Sequence, residues 1–226
     1  MKQGALYVDH MGTDLSVVRA AKVSFANDAT VQRFIDDIEA KQLGCRSHSA
    51  LIRYLARHNH WTPFGHTAIT LRMAAPVPIR TQCFKHKVGF VENEESRRYI
   101  SSRPALFVPD EFRKAPEDGK TKQGSGGVHP KSRMWRLAYQ LHTEQSINLY
   151  MDMLADGVCP EQARFVLPQG CIVNWYWTGN LAAYARFFNQ RSDSHAQKEV
   201  QELAALVASI VAPLFPVSWA ALTEKR

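Results

Sequence analysis

The chain contains 226 residues, of which 45% are apolar and 22% are charged. This composition is ordinary for a folded globular protein and excludes disorder along the whole chain. The excess of 28 Lys and Arg over 21 Asp and Glu gives a net charge of +7, which favours an anionic partner. Because the basic residues form no long run and match no nucleic-acid-binding motif, phosphorylated small molecules are favoured over nucleic acid.

The length and the hydropathy pattern predict a single domain, covering residues 1–226, in a cytoplasmic protein. No apolar run approaches the roughly 20 residues that span a bilayer, and the N-terminus lacks the apolar core of a signal peptide. The cysteines are scattered without paired spacing, which argues against a disulfide framework and against a metal site for zinc. We expect four reduced thiols, at Cys45, Cys83, Cys159 and Cys171.

Two helices are predicted near the N-terminus. The first covers residues 14–25, because apolar side chains recur at helical spacing behind Thr13 or Asp14 as the capping residue. The second covers residues 49–59, and its apolar stripe stops before Pro63.

A strand followed directly by a helix is predicted next. Residues 67–75 alternate well enough between apolar and polar side chains for a strand. Pro76 and Pro78 suit the first turn of a helix that runs into Lys85.

The segment around residues 113–133 is predicted to be a mobile surface insertion. It is rich in Gly, Lys and Ser and has almost no apolar side chain to bury. We interpret it as a loop and not as a domain boundary, because neither flank is complete as an independent domain.

The remaining chain predicts two long helices, a short helix and a strand. An amphipathic helix covers residues 134–155, and Pro160 begins the next helix. Residues 170–178 are dense in β-branched and aromatic side chains, which favours a strand. A core helix covers residues 194–215. The apolar positions of the two long helices are Leu137, Leu141, Tyr150 and Leu154, and Val200, Leu203, Leu206 and Ile210. The expected fold is α+β, a mainly antiparallel sheet packed with helices.

The densest group of polar residues begins with Lys85, His86 and Lys87 and continues over residues 93–99. Its side chains offer cations for phosphates, and a carboxylate and an amide for hydrogen bonds to a base or ring. A solvated charged loop is the plain alternative. The position directly after a strand and a helix favours a binding site, because rigid elements can aim side chains.

This group resembles the signature of the flavin-dependent thymidylate synthases, an Arg-His-Arg triplet followed after seven residues by Ser. The chain reads KHKVGFVENEESRRY, so both arginines are lysines and eight residues separate Lys87 from Ser96. Other blocks resemble the family too and follow the family's order along nearly the whole chain, apart from the insertion and the termini. These blocks are residues 11–14, 19–25, 60–66, 163–168, 177–180 and 189–197.

The resemblance implies two sets of binding residues and one catalytic residue. Arg191 is the implied catalytic residue, because its family counterpart sits against the uracil and favours ionisation at N3. Arginine suits this role since it stays cationic and can donate two parallel hydrogen bonds. The implied FAD-binding residues are Thr62, Lys85, His86, Lys87, Glu94 and Asn180, with Arg186 as a further candidate. The implied dUMP-binding residues are Gln82, Lys85, Glu94, Ser96, Arg98, Arg164 and Arg191.

The same resemblance implies reductive methylation of dUMP to dTMP. FAD is the implied cofactor, and NADPH and 5,10-methylenetetrahydrofolate are the implied co-substrates. No protein nucleophile is needed, because the cofactor carries the difficult chemistry while the protein binds, orients and polarises. The resemblance also implies a homotetramer whose active sites are shared between subunits.

The departures from the family pattern mainly concern cations. Ala182 stands where many relatives carry Arg, and Arg186 stands where they carry Asn, so the two cation positions could have been exchanged. Lys85 and Lys87 keep the charge of the usual arginines but lose the planar guanidinium, so their contacts should be less directional.

Alternative functions and structural roles stay open. A family enzyme with an altered loop could make another 5-substituted pyrimidine such as 5-hydroxymethyl-dUMP, and a non-catalytic relative could bind a nucleotide or nucleic acid. His60 and His66 could be ordinary hydrogen-bonding histidines. Residues 175–177 are favoured as core and strand residues over a stacking platform. Cys159 is favoured as a structural residue over a nucleophile.

Overall fold

The computed structural model describes residues 2–23, 46–116 and 124–224. A four-stranded antiparallel sheet with strand order β1-β2-β4-β3 packs with helices, which confirms the predicted α+β fold. The strands are β1 (Gly4–Met11), β2 (Ala68–Pro76), β3 (Phe90–Glu94) and β4 (Ile172–Gly179). The helices are α1 (Asp14–Lys22), α2 (Arg46–Arg57), α3 (Thr62–Gly65), α4 (Val77–Cys83), α5 (Ser132–Ala155), α6 (Pro160–Ala163), α7 (Leu181–Arg191), α8 (Lys198–Leu214) and α9 (Pro216–Thr223), and a 3₁₀ turn covers Arg164–Val166.

The predicted helices and strands are present, with shifted ends. Helix α1 begins after Thr13, whose Oγ1 accepts a hydrogen bond from the Leu15 amide at 3.2 Å, as predicted for a capping residue. The end of the predicted first helix, residues 24–25, lies outside the described residues. Helix α4 ends at Cys83, so Lys85 follows the helix and does not belong to it.

Strand β4 supplies the aromatic centre of the core. Trp175 and Trp177 are buried, as predicted, whereas Tyr176 between them is 52% exposed because neighbouring strand residues point to opposite faces. Phe90 of β3 stacks on Trp177 with ring centroids 4.1 Å apart. This contact fixes the start of β3, which carries the signature residue Glu94 at its other end.

Asp14 of α1 connects the N-terminal helix to the C-terminal helix α9 by hydrogen bonds. The Asp14 carboxylate is only 1% exposed and accepts hydrogen bonds of 2.8 Å from the backbone amides of Val217 and Ser218. These amides belong to the first turn of α9, where helix N–H groups have no partner within the helix. Among the described residues, five helices and strands were not predicted from the sequence, namely β1, α3, β3, α7 and α9.

The apolar positions predicted for the long helices are only partly correct. Leu137 and Leu141 of α5 are each 59% exposed, and Leu206 of α8 is 40% exposed. Leu137 and Leu141 are exposed because α5 packs against the rest of the chain with a different face from the predicted one. The buried side chains of α5 are Thr143, Ile147 and Tyr150.

The described ends of the insertion form a small antiparallel pair. Arg113 and Val128 form a β-bridge, and the Lys114 amide donates to the Gly127 carbonyl at 2.8 Å. These backbone hydrogen bonds attach the base of the insertion, while its predicted mobility stays a prediction. Residues 117–123 lie outside the described part of the chain.

No helix within the described ranges combines the length and the apolar character needed to cross a bilayer. Cys83, Cys159 and Cys171 are free thiols, and Cys45 lies outside the described residues. Burial raises the pKa of Cys83 to about 12 and that of Cys171 to about 11, so both thiols stay protonated at neutral pH.

Candidate functional site

Helix α4 lies between two groups of predicted site residues. Residues two apart on an α-helix are separated by about 200° around its axis, so Arg80 and Gln82 point to nearly opposite sides. The Arg80 side chain reaches Glu94 on one side, and the Gln82 side chain reaches Gln197 on the other. Arg191 meets the backbone carbonyl of Gln82. We refer to Gln82, His86 and Arg191 as the arginine cluster. We refer to Arg80, Glu94, Ser96 and Arg164 as the glutamate cleft.

The arginine cluster joins the end of α7 to the turn after α4. Arg191 is the last residue of α7, and its Nε donates a 2.9 Å hydrogen bond to Nε2 of His86. Its Nη2 donates to the Gln82 carbonyl at 3.4 Å. Among the described residues Nη1 has no hydrogen-bond partner, so this edge of the guanidinium is free for a ligand.

His86 can accept the hydrogen bond from Arg191 only while its imidazole is neutral. Burial, together with the charges of Arg191 and Arg186, lowers the pKa of His86 from 6.5 to about 4. Its ring also packs edge-on against Phe187, with centroids 5.1 Å apart. The cluster therefore holds one fixed positive charge on Arg191 and an uncharged base beside it at neutral pH.

Three cations surround the turn that contains His86. Lys85 and Lys87 are exposed, and Lys87 forms an ion pair with Glu92 of β3. Arg186 of α7 donates a hydrogen bond from Nη2 to the Val88 carbonyl. The predicted flavin candidate Arg186 is thus placed against the Lys-His-Lys turn, although it lies about a hundred residues further along the chain.

Asn180 is a helix cap as well as a predicted flavin-binding residue. Its Oδ1 accepts a 2.9 Å hydrogen bond from the Ala183 amide at the start of α7. Its own amide donates to the Gly89 carbonyl at 3.1 Å. Gly89 has φ of +80°, and a Cβ there would lie 2.9 Å from Asn180 Nδ2, so glycine is required at this close approach. Because Oδ1 serves as the cap, Nδ2 is the group that Asn180 can offer to a ligand.

The glutamate cleft is an open space of about 470 Å³ on the other side of α4. Its walls include Glu94 from the end of β3, Ser96 from the following loop and Arg164 from the 3₁₀ turn. Arg80 Nε lies 3.3 Å from Glu94 Oε2. The three predicted nucleotide-binding residues are therefore brought together, in a lining that contains two carboxylates, Glu94 and Glu95, and three arginines.

The Glu94 carboxyl group is not in an ordinary solvated environment. Burial raises the pKa of Glu94, the charge of Arg80 opposes this shift, and the neighbouring charge of Glu95 adds to it. Glu95 also lines the cleft, but both of its carboxylate oxygens have partners, since Oε2 accepts a hydrogen bond from Asn174 and Oε1 pairs with Arg72.

Arg98 and Thr62 also lie outside both groups. Arg98 is about half exposed and pairs with Glu161, three residues before Arg164, so it lies near the rim of the glutamate cleft. Thr62 is exposed at the first position of α3. Helix α3 packs against α7, and Thr67 Oγ1 after it accepts the Leu181 amide at 3.0 Å. Thr62 is therefore attached to α7 without touching the arginine cluster.

Three residues of the glutamate cleft were missed in the sequence analysis, namely Arg80, Glu95 and Arg97. Glu95 and Arg97 belong to the polar group over residues 93–99, but the sequence does not show which way their side chains point. Arg80 lies within the predicted helix, so its helical spacing from Gln82 could have indicated a cation on the opposite face.

The structural alternatives have different outcomes. His60 and His66 are exposed, and the His60 ring lies near Tyr54, 6.1 Å between centroids, and not near the arginine cluster. Cys159 precedes the first residue of α6, and its Sγ lies 3.6 Å from Gln162 Oε1. These surroundings favour the structural role of Cys159.

The groups beside the Lys-His-Lys turn suit the flavin nucleotide that the resemblance implies. Lys85, Lys87 and Arg186 are the kind of donors that bind a diphosphate, and Asn180 offers an amide N–H. Neutral His86 adds an aromatic ring beside these cations.

Comparisons with known proteins agree in sequence and in fold. A profile of the family described as "Thymidylate synthase complementing protein" matches residues 7–217. The flavin-dependent thymidylate synthase of Thermotoga neapolitana is 34% identical over 217 residues, which cover 96% of this chain and 89% of that protein. The enzyme of the same description from Thermosipho africanus is 33% identical over 203 residues, which cover 90% and 83%.

Solved structures of one further protein are also similar. The UMP/dUMP methylase PolB from Streptomyces cacaoi bound with 5-Br dUMP gives a TM-score of 0.84 at 29% identity, covering 98% of this chain and 95% of that chain. The same methylase bound with 5-Br UMP gives a TM-score of 0.81 at 28% identity, covering 98% and 94%.

Proposed function

Because the chain belongs to the flavin-dependent thymidylate synthase family, we propose that it reductively methylates dUMP at C5 to give dTMP. In this proposal FAD is the bound cofactor, and NADPH and 5,10-methylenetetrahydrofolate are the co-substrates. Reduced flavin, when bound, supplies the hydride that completes the methyl group. The protein's part is to bind the nucleotide, polarise its ring and exclude water.

The arginine cluster is the observation that carries this proposal. The neutral imidazole of His86 holds Arg191 by its Nε, and Nη1 has no hydrogen-bond partner among the described residues. A fixed guanidinium stabilises negative charge on a pyrimidine ring, because it stays cationic and needs no reorganisation during the reaction. We assign to Arg191 the stabilisation of charge at N3 and the adjoining carbonyl of the uracil.

None of the three described cysteines is assigned the role of a nucleophile in this mechanism. The thiols of Cys83 and Cys171 are buried and have raised pKa values, so they carry almost no thiolate at neutral pH. Cys159 is exposed but lies at the start of α6, away from the arginine cluster.

The glutamate cleft is assigned to the rest of the nucleotide. Arg164 and Ser96 supply donors that suit a 5′-phosphate, and Glu94 supplies an acceptor for a hydroxyl or N–H group. Because this cleft and the arginine cluster lie on opposite sides of α4, we propose that each nucleotide is bound by groups from two copies of the chain.

Association is supported by the exposed apolar face of α5. Met134, Trp135, Leu137 and Leu141 are each about half exposed or more on one helix. Neighbouring exposed apolar side chains of this kind are typical of a surface that contacts another protein. A homotetramer with shared active sites accounts for both the split site and this face.

The direct test is to identify the product. The protein is incubated with FAD, NADPH, 5,10-methylenetetrahydrofolate and dUMP, and the nucleotide is weighed by mass spectrometry. A product one CH₂ heavier than dUMP is expected. A product with one further oxygen would replace the proposal by hydroxymethylation, and unchanged dUMP from folded, flavin-loaded protein would refute catalysis on dUMP.

UMP is the second candidate substrate, because the similar structures are of a methylase described as acting on UMP as well as dUMP. The same incubation with equal dUMP and UMP decides between them. We expect the deoxynucleotide to be consumed first, and preferential methylation of UMP would reassign the substrate.

A further inference from the structure

A chain of polar contacts connects the base of the insertion to the arginine cluster. Arg113 Nη2 donates to both carboxylate oxygens of Glu199, at 2.7 and 2.9 Å. Gln197 Nε2 donates to Glu199 Oε2 at 2.9 Å, and Gln82 Nε2 donates to Gln197 Oε1 at 2.7 Å. The contacts therefore run from Arg113 through Glu199 and Gln197 to Gln82.

The first link is shielded from water and is stronger than a surface ion pair. The side chains of Arg113 and Glu199 are 17% and 11% exposed. Burial by itself raises the pKa of Glu199, but hydrogen bonds from Arg113 and Gln197 bring the pKa below its ordinary value. Glu199 is therefore a carboxylate at neutral pH, and a carboxylate can only accept hydrogen bonds.

The acceptor role of Glu199 determines the orientation of the side-chain amides of Gln197 and Gln82. Because Glu199 only accepts, Gln197 must turn its NH₂ group to Glu199 and its oxygen to Gln82. Gln82 must then donate its own NH₂ group to Gln197. Its Oε1 is thereby turned away from Gln197 and is left as an acceptor for a ligand, next to the second N–H of the same amide group.

We propose that Arg113 is a positioning residue which, through Glu199 and Gln197, fixes the side-chain amide of Gln82 with Oε1 presented to the nucleotide. The ligand group it takes is an N–H or O–H donor of the pyrimidine nucleotide. This rests on the proposed function, and it gives the base of the insertion a role in substrate binding.

A second ion pair between the same two elements provides the matched control. Lys198 Nζ lies 3.3 Å from Glu111 Oε1, so it also joins the start of α8 to the base of the insertion. Its partners are more exposed, and it has no contact with Gln82 in the described part of the chain. Removing it tests attachment of the insertion alone.

The experiment measures the Kd for dUMP by isothermal titration calorimetry on the FAD-loaded protein, which needs no turnover. Two variants are compared with the unaltered protein. Arg113→Gln removes the first contact. Gln197→Met removes the middle contacts and keeps the Arg113–Glu199 pair, so it tests the proposal even if Arg113→Gln fails to fold. We expect each of the two variants to raise the Kd about three- to tenfold, as for loss of one hydrogen bond. Lys198→Met should leave the Kd and the FAD content unchanged.

A double-mutant cycle tests whether the contacts through Gln197 act on the nucleotide by way of Gln82. If they do, Gln82→Ala combined with Gln197→Met binds dUMP no more weakly than Gln82→Ala alone. Additive effects of the two substitutions would overturn the proposal, and so would an equal rise in Kd for Lys198→Met. Failure of the unaltered protein to bind dUMP would instead refute the proposed function.

Discussion

The arginine cluster and the glutamate cleft hold their charges in opposite ways. In the cluster the cation of Arg191 is fixed by a buried imidazole that is kept neutral. In the cleft a carboxylate, Glu94, is half withdrawn from water beside a cation and opens into about 470 Å³ of space. A cation in a fixed orientation suits charge that develops during a reaction, whereas an open cleft suits reversible binding of a charged substrate.

The largest expected effect breaks the cluster. Arg191→Ala should lower kcat by about 10²- to 10³-fold, the loss typical when one preorganised charge-stabilising donor is removed. FAD content should be unchanged, because the cations beside the Lys-His-Lys turn remain. Steady-state kinetics and the flavin absorbance measure both quantities. Gln190→Ala, an exposed neighbour on α7, is the control, and loss of FAD together with activity would reassign Arg191 to the flavin.

The pH dependence of stability sharpens the comparison. The native pKa of His86 is about 4 and its unfolded value is 6.5, so only the unfolded chain binds a proton between these values. The free energy of unfolding should therefore fall by up to about 3 kcal/mol as pH falls from 6.5 to 4. Urea unfolding of His86→Asn should show a shallower fall than the unaltered protein. Parallel curves for the two proteins would show that His86 is not held neutral.

Glu94 of the glutamate cleft should change the stability in the opposite direction with pH. The native pKa of Glu94 is raised, mainly by burial, so its contribution to stability is present at low pH and is lost as pH rises through that pKa. Glu94→Gln should consequently gain stability relative to the unaltered protein as the pH is raised. A relative loss on the alkaline side would mean that pairing with Arg80 outweighs burial.

A smaller effect is expected in substrate affinity. Arg164→Ala should raise the Kd for dUMP about 10- to 100-fold, as for loss of a hydrogen bond to a charged group, while kcat at saturating dUMP changes less. Calorimetry and saturation kinetics separate the two. Arg57→Ala removes the same charge from an exposed helix end and should leave the Kd unchanged. A fall in kcat alone would move Arg164 into the chemical step.

The smallest effect is expected at Cys159. Replacing Cys159 by Ala should leave activity within about tenfold, or roughly 1.4 kcal/mol of barrier, because the side chain is exposed and has one weak contact. Assay of the folded variant measures this. A loss of several orders of magnitude would indicate a thiol nucleophile and defeat the flavin mechanism.

The sequence by itself indicated the elements whose patterns are local. The sequence predicts Thr13 or Asp14 as the cap of α1, because capping depends on neighbouring residues, and the structure identifies Thr13. Periodicity and residue type predict β2, β4 and α5. The strand β1 was missed because its side chains are largely exposed and do not alternate. Helix α7 carries Arg186 and Arg191, but no local pattern predicted it. Only the resemblance to a family indicated that these residues are important.

The tertiary structure alone decided how the site residues are divided and which way they point. Residue type predicted that Gln82, Glu94, Arg164 and Arg191 bind a nucleotide, but the two sides of α4 separate them into a cluster and a cleft. The neutral state of His86 is likewise a consequence of burial next to α7, more than a hundred positions along the chain. The protonation state of a side chain depends on its burial and on the charges next to it, and both depend on contacts between distant segments. A local sequence pattern contains neither.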